Sequence, residues 1–284
     1  MNNAENLSRR NILKGGVTGM STIIASSIPA TGGETSQNKS GKKSKYPKVQ
    51  YVELLPHEFR KRLADKPLAY LPLGTIEWHG EHIALGADAI QSQSLMVQCA
   101  IECGGIVMPP IYLGPDRAKL MEDGSMLFGM DYDQTTDPAR QLDGSCYWIP
   151  KGLHMEVIDV ILGQLKRAGF RAVFADGHGP SRWSWVENLT ERETRFGLKL
   201  FGVTEDIAEH WRSQIDHAAI NETSLMMYYR PDLVDLSQLP ESRTVSPQGV
   251  GFGEDPRDAT ADYGKECMVK SLEIMKRKFA EAGI

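Results

Sequence analysis

Short apolar runs alternate with segments of helical periodicity along most of the chain. Four runs have the length and composition of buried strands, at residues 68–73, 106–108, 171–175 and 198–203. Helical spacing of apolar residues covers 87–103, 153–168, 183–196, 205–214, 222–229 and 265–281. Strands that alternate with helices form a mostly parallel sheet with helices on both faces. The pattern therefore predicts an α/β fold, a three-layer αβα sandwich.

Charge and hydropathy argue against two classes of partner. The chain has 284 residues, a formal net charge of -5 and a pI of about 5.8. Nucleic-acid-binding proteins usually carry a basic patch or stripe, which this balance does not favour. No apolar run approaches the roughly 20 residues that a membrane-spanning helix needs. We therefore expect no nucleic-acid partner and no stable membrane span.

The N-terminus resembles a twin-arginine export signal. Arg9 and Arg10 are adjacent and are followed by a weakly apolar segment, residues 15–30. Residues 31–48 are rich in Gly, Ser, Lys and Thr and have the composition of a flexible linker. We predict a signal peptide over 1–30, a linker over 31–48 and one folded domain over 49–284. The predicted location is the periplasm or the exterior, reached through the twin-arginine export machinery; the alternative is a disordered basic tail.

Carboxylate and imidazole side chains follow two of the predicted strands. Glu77 and His79 come after the first strand and are two residues apart, so both point to one side of an extended segment. Asp88 lies at the start of the next helix and can fold back toward them. His178 follows the third strand within Asp-Gly-His-Gly, residues 176–179, where the glycines permit a tight turn. Because ligands collect beyond the carboxyl ends of parallel strands, these residues predict a metal site.

A third segment, residues 217–224, adds His217 and Glu222. Taken singly, a histidine is more often a hydrogen-bonded structural residue than a ligand, and Asp88 would serve equally as a helix cap. However, four of the seven histidines of the chain fall within the three segments. This clustering favours a common site.

The three segments together resemble the motifs of the creatininase (creatinine amidohydrolase-like) family. Residues 75–88 match its first motif, in which a small residue and Ile precede Glu, any residue, His, Gly, any residue, His and a later Asp. Residues 176–179 match the second, usually Asn-Gly-His-Gly, and 217–224 match the third, in which His-Ala-Gly precedes Glu-Thr-Ser. The match continues through 230–234, and the resemblance extends over roughly residues 50–280.

The resemblance implies a creatininase-like sandwich that holds a divalent metal, with two ions of zinc, manganese or iron per chain. Carried over, the ligands are Glu77, Asp88 and His178 for one ion, and His79 with Asp88 for the other. In the family, the last carboxylate stands two residues after the histidine of the second motif. This chain has Pro180 there, which cannot ligate, and Glu222 is the candidate replacement.

The resemblance also implies metal-assisted hydrolysis, in which a metal-bound hydroxide attacks a carbonyl carbon. His217 would carry the proton to the leaving group, and Glu222 is counted with it as a catalytic residue. His82 either supports a ligand or contacts the substrate. The candidate substrate-binding residues are Trp78, Arg182 and Trp183. For the two tryptophans, the alternative is aromatic packing in the protein interior.

The implied reaction is hydrolysis of a cyclic amide or another non-peptide C–N bond in a small molecule. The departure at Pro180 and the poorly matching residues 114–150 argue against creatinine itself. An alternative is a C–C bond hydrolase that opens a cyclic diketone derived from a sugar or inositol. A further alternative is a non-catalytic exported binding protein on the same fold. The family also implies a homo-oligomer.

Overall fold

A computed structural model describes residues 48–284. The predicted signal peptide and all of the predicted linker except its last residue lie outside the described residues.

The described part of the chain contains six strands and eight α-helices. The strands are β1 (Leu68–Leu73), β2 (Ile106–Val107), β3 (Ala118–Leu120), β4 (Met126–Phe128), β5 (Ala172–Gly177) and β6 (Lys199–Phe201). The helices are α1 (Pro56–Asp65), α2 (Ala87–Cys103), α3 (Lys151–Ala168), α4 (Gly179–Val186), α5 (Leu189–Phe196), α6 (Glu205–Ala208), α7 (Ile220–Tyr229) and α8 (Ala261–Glu281). None of the helices within residues 48–284 is both long and apolar enough to cross a membrane.

Four parallel strands form the central sheet, in the order β2-β1-β5-β6. β1 and β5 pair along their full length, from Leu68 opposite Ala172 to Leu73 opposite Gly177. The chain leaves β1 toward β2 on one side and later returns to β5 on the other. The carboxyl ends of β1 and β5 therefore border a topological switch point, where open α/β sheets bind ligands.

Helices cover both faces of this sheet. Alternate side chains of β1 separate into two cores, with Leu68 and Tyr70 packed against α2, α7 and α8 on one face. Ala69 and Leu71 face α3 and α4 on the other. All six residues of β1 are buried, as a strand covered on both faces requires. The predicted α/β sandwich is confirmed.

The structure corrects two of the predicted helices. The helix expected over 183–196 is divided into α4 and α5 at Glu187 and Asn188, and asparagine favours turns over helix interiors. The helix expected over 205–214 ends at Ala208, and Gln214 adopts the left-handed conformation (φ 54°), which a helix cannot contain.

The long segment 114–150 is largely irregular, as predicted, but it includes an antiparallel hairpin. β3 and β4 pair from Ala118 opposite Phe128 to Leu120 opposite Met126. The segment passes over the carboxyl edge of the central sheet, since Gly114 would clash with the Gly74 carbonyl if it carried a Cβ. It thereby supplies part of the wall above the strand ends.

Candidate metal centre

The adjacent ends of β1 and β5 bring two of the sequence motifs together. A Cβ on Gly177 would lie 1.5 Å from the carbonyl oxygen of Leu73, and the φ of Gly177 is 151°. Only glycine permits this close approach of the two backbones. As a result, Glu77 after β1 and His178 after β5 enter the same buried volume.

The first group of ligand-type side chains consists of Glu77, Asp88 and His178. His178 Nδ1 lies 3.1 Å from Glu77 Oε1 and 3.1 Å from Asp88 Oδ2. Its other ring nitrogen, Nε2, is 3.2 Å from the carbonyl oxygen of Pro115. Because a carbonyl only accepts hydrogen bonds, Nε2 carries a proton and Nδ1 faces the two carboxylates.

The second group shares Asp88 with the first and adds His79 and Glu222. His79 Nε2 lies 3.7 Å from Asp88 Oδ1 and 3.5 Å from Glu222 Oε2. Its Nδ1 donates to the carbonyl oxygen of Glu77 at 3.1 Å. Glu222 sits in the first turn of α7 and accepts a hydrogen bond from the backbone N–H of Ala218 at 2.8 Å.

His217 lies beside both groups. Its ring centroid is 4.5 Å from that of His79, and its Nδ1 is 3.7 Å from Glu77 Oε1. Nε2 is 2.7 Å from the carbonyl oxygen of Trp78, to which it must donate. Nδ1 is therefore the free acceptor of this imidazole, and it faces the site.

Burial and neighbouring charges shift the pKa values of the clustered side chains. Burial alone would lower the pKa of His79, but the neighbouring Asp88 and Glu222 raise it to about 10. Burial raises the pKa of Glu222 well above its usual range, because removal from solvent disfavours the charged form of the carboxyl. Conversely, burial and the nearby His79 lower the pKa of His217 to about 4. The cluster thus draws positive charge toward its centre.

The donor set fits a divalent cation. Among residues 48–284, Glu77, Asp88 and Glu222 form salt bridges with histidines alone, and no lysine or arginine neutralises them. Within the described part of the chain, His79 Nε2 is buried without a hydrogen-bond partner. His79 and His178 each donate one ring N–H to a backbone carbonyl and aim the other nitrogen at carboxylates, the arrangement typical of metal ligands.

The structure brings the predicted ligand atoms close together, and their role as metal ligands stays a prediction. Within each of three groups, the candidate ligand atoms lie within 4.8 Å of one another: Glu77, Asp88 and His178; His79, Asp88 and Glu222; and Glu77, His79 and His217. Asp88 belongs to the first two, so it stands where a carboxylate can bridge two ions. Glu222, the predicted replacement for the carboxylate that Pro180 cannot supply, lies in the second group.

Three further candidate site residues lie outside the two ligand groups. His82 is buried and hydrogen-bonds Thr223 Oγ1 at 3.0 Å, away from the cavity lining, which favours a supporting role over substrate contact. Trp78 donates its ring N–H to the Gln248 carbonyl at 2.8 Å and lines a separate cavity. Arg182 lines the site cavity, but its guanidinium is engaged by Asp176.

The cavity above the cluster has a volume of about 690 Å³. Trp183, predicted to bind substrate, lines it and is 61% exposed. The sequence did not single out Phe252, which also lines it and is 66% exposed. Asp116 and Arg117 from segment 114–150 form part of one wall of this cavity. In the sequence, the one indication that they belong to the site was the high density of polar residues in that segment.

Comparison with known proteins gives a consistent family signal. Residues 53–277 match the family model described as "Creatininase: Creatinine amidohydrolase". A creatinine amidohydrolase of Pseudomonas putida is 28% identical over 228 residues, which cover 72% of this chain and 81% of that protein.

Solved structures support the fold. A mutant creatininase described as the Zn-Zn type superposes with a TM-score of 0.62 at 20% identity, covering 83% of this chain and 98% of that one. A structure described as "Creatininase Mn" superposes with a TM-score of 0.60 at 21% identity, covering 83% of this chain and 99% of that one.

Proposed function

Since the chain belongs to the creatininase family, and is thus an enzyme of the amidohydrolase type, we propose that it hydrolyses a cyclic amide or another non-peptide C–N bond with the help of two divalent ions. The observation that carries this proposal is the shared position of Asp88 between two groups of buried carboxylates and imidazoles. The relatives described as Zn-Zn and Mn forms support zinc or manganese as the ions.

Different residues of this chain would bind the two ions and transfer protons. Glu77, Asp88 and His178 would hold one ion, and His79, Asp88 and Glu222 the other. A divalent ion at such a site polarises a carbonyl and lowers the pKa of water toward neutrality. Because no lysine or arginine among residues 48–284 pairs with these three carboxylates, their negative charge would be available to the ions.

His217 is suited to accept a proton and pass it on. Its Nε2–H is held by the Trp78 carbonyl, which leaves Nδ1 as an acceptor directed at the site. Its lowered pKa keeps the imidazole neutral near pH 7, the state that a general base requires. The same nitrogen can then return the proton to the leaving group.

The cavity supports a small substrate with an apolar or planar part. Pro180 occupies the position at which the family motif provides a carboxylate, and Trp183 lies one turn further along α4. Both line the cavity together with Phe252. The exposed rings of Trp183 and Phe252 give this wall an apolar surface, which supports a substrate with a planar or apolar part.

A substrate panel tests this function on the full-length chain loaded separately with zinc and manganese. We expect turnover of cyclic amides, detected as new carboxylate and amine groups. Turnover confined to cyclic diketones would replace C–N hydrolysis with C–C hydrolysis. A chain that takes up no metal and turns over neither class would overturn the proposal in favour of a binding protein.

We further propose that residues 1–30 direct export by the twin-arginine route. The adjacent Arg9 and Arg10 and the weakly apolar segment behind them support this proposal. Replacement of both arginines by lysine should retain the protein in the cytoplasm of an expressing cell. Export that is unchanged by this replacement would refute it.

A further inference from the structure

Most of the N–H groups of the Arg182 guanidinium donate hydrogen bonds to other residues of the protein. Its Nε and Nη2 donate to the two carboxylate oxygens of Asp176, the latter at 3.2 Å. Nη1 donates to the carbonyl of Gln214 at 3.0 Å, and Nη2 donates to that of Ser213 at 3.0 Å. Only 11% of the side chain is exposed. These four bonds occupy four of the five N–H groups of an arginine, so little remains to bind a substrate.

The two carbonyls that Arg182 holds begin a strained segment. Gln214 and Ala218 both adopt the left-handed conformation, with φ of 54° and 51°, and His217 lies between them. Non-glycine residues in this conformation persist where surrounding contacts over-determine them. His217 itself pairs with Gly251, with both N–H to carbonyl distances at 2.9 Å. The backbone N–H of Ala218 beside it donates to the carboxylate of Glu222 at 2.8 Å.

The same segment is also joined to α2. The side-chain amide of Gln214 donates to the carbonyl of Asp88 at 3.1 Å. Ser92, one turn along α2, donates its hydroxyl to the carbonyl of Asp176 at 2.6 Å. Arg182, Gln214 and Ser92 therefore connect the three elements that carry His178, His217 and Asp88.

We propose that Arg182, paired with Asp176, is a positioning residue that sets the location of His217 relative to the metal ligands. It does so by fixing the carbonyls of Ser213 and Gln214, and it is not a substrate-binding residue. The assignment of a reaction to His217 rests on the proposed function, but the positioning of the segment does not.

Hydrogen exchange of the full-length, substrate-free protein tests the positioning directly. The backbone amides of Ile215, His217, Ala218, Asn221 and Glu222 are all hydrogen-bonded and report on the segment. In Arg182→Gln we expect these amides to exchange about tenfold faster. Arg182→Lys keeps the charge but loses the fork, so an intermediate increase is expected.

A matched control is available in another buried arginine–aspartate pair. Arg192 on α5 contacts Asp159 with 13% of its side chain exposed, close to the value for Arg182. Arg192→Gln should leave exchange over residues 213–222 unchanged. If Arg182→Gln raises exchange throughout the chain, Arg182→Lys decides whether the effect is confined to this segment.

Steady-state kinetics supply the second readout. A displaced base lowers kcat, here by about 100-fold, with KM changed less than about threefold. Unchanged exchange over 213–222 in both Arg182 variants would overturn the proposal, and a raised KM with unaltered kcat would return Arg182 to substrate binding. If no substrate is turned over at all, the proposed function fails while the exchange result still decides the positioning role.

Discussion

Replacement of Glu222 by glutamine tests our proposal that this residue takes the place of the missing family carboxylate. Glu222 Oε2 lies 3.5 Å from His79 Nε2, in a group that also contains Asp88. Two unit charges about 4 Å apart interact by about 4 kcal/mol at an effective dielectric of about 20. Desolvation of the carboxylate offsets part of this attraction. We therefore expect one of the two ions to bind at least about 100-fold more weakly in Glu222→Gln, equivalent to about 2.7 kcal/mol.

In the metal-free protein, by contrast, Glu222→Gln should not reduce stability. Burial raises the pKa of Glu222 well above its usual range, so the folded state binds a proton more tightly than the unfolded state does. Stability from this group is therefore present at low pH and is lost as pH rises toward the folded pKa. At neutral pH the glutamine variant, which carries no charge, should be at least as stable without metal as the original protein.

Competitive titration against a chelator measures the affinities, and thermal unfolding in the same chelator measures the stability. Glu187→Gln, which removes an exposed carboxylate paired with Lys151, is the control and should alter neither quantity. Two ions bound with unchanged affinity in Glu222→Gln would refute our reasoning. In that case Glu222 would serve only as the acceptor for the Ala218 amide.

Three further substitutions separate the roles at the site. His217→Asn should keep its metal content but lose about 100-fold or more in kcat; a loss of metal would make His217 a ligand instead. Trp183→Ala should raise KM with little change in kcat, and an unchanged KM would exclude Trp183 from substrate binding. Gly177→Ala should give protein that is insoluble or much less stable, because its Cβ would meet the Leu73 carbonyl at 1.5 Å; a soluble variant with an unchanged melting temperature would contradict the backbone geometry assigned to the strand ends.

The parts of the site that the sequence predicts are those attached to regular elements. β1 and α2 were predicted with the bounds that the structure has, because an apolar run ended by glycine and a helix ended by two glycines leave little freedom. Once parallel strands were expected, the proximity of Glu77 and His178 followed from the meeting of carboxyl ends at one edge. The distances around Asp88 agree with that prediction.

The parts that the sequence did not predict lie on irregular segments. Phe252 has a φ of 63° in the loop after Gly251, and no periodicity tells where such a side chain points. Arg182 was expected to bind substrate, but the direction of its side chain depends on Asp176 and on carbonyls more than thirty residues later in the chain. Contacts between residues far apart in the chain are not visible in spacing alone.

The metal content of the full-length chain, measured beside that of Asp88→Asn, tests the central claim most directly. Asp88 is buried and belongs to both ligand groups, so its replacement should affect both ions together. We predict about two divalent ions per chain after zinc or manganese is supplied, and nearly complete loss of both in the variant. One ion or none in the original chain, or two ions retained in Asp88→Asn, would contradict a centre built around a shared Asp88.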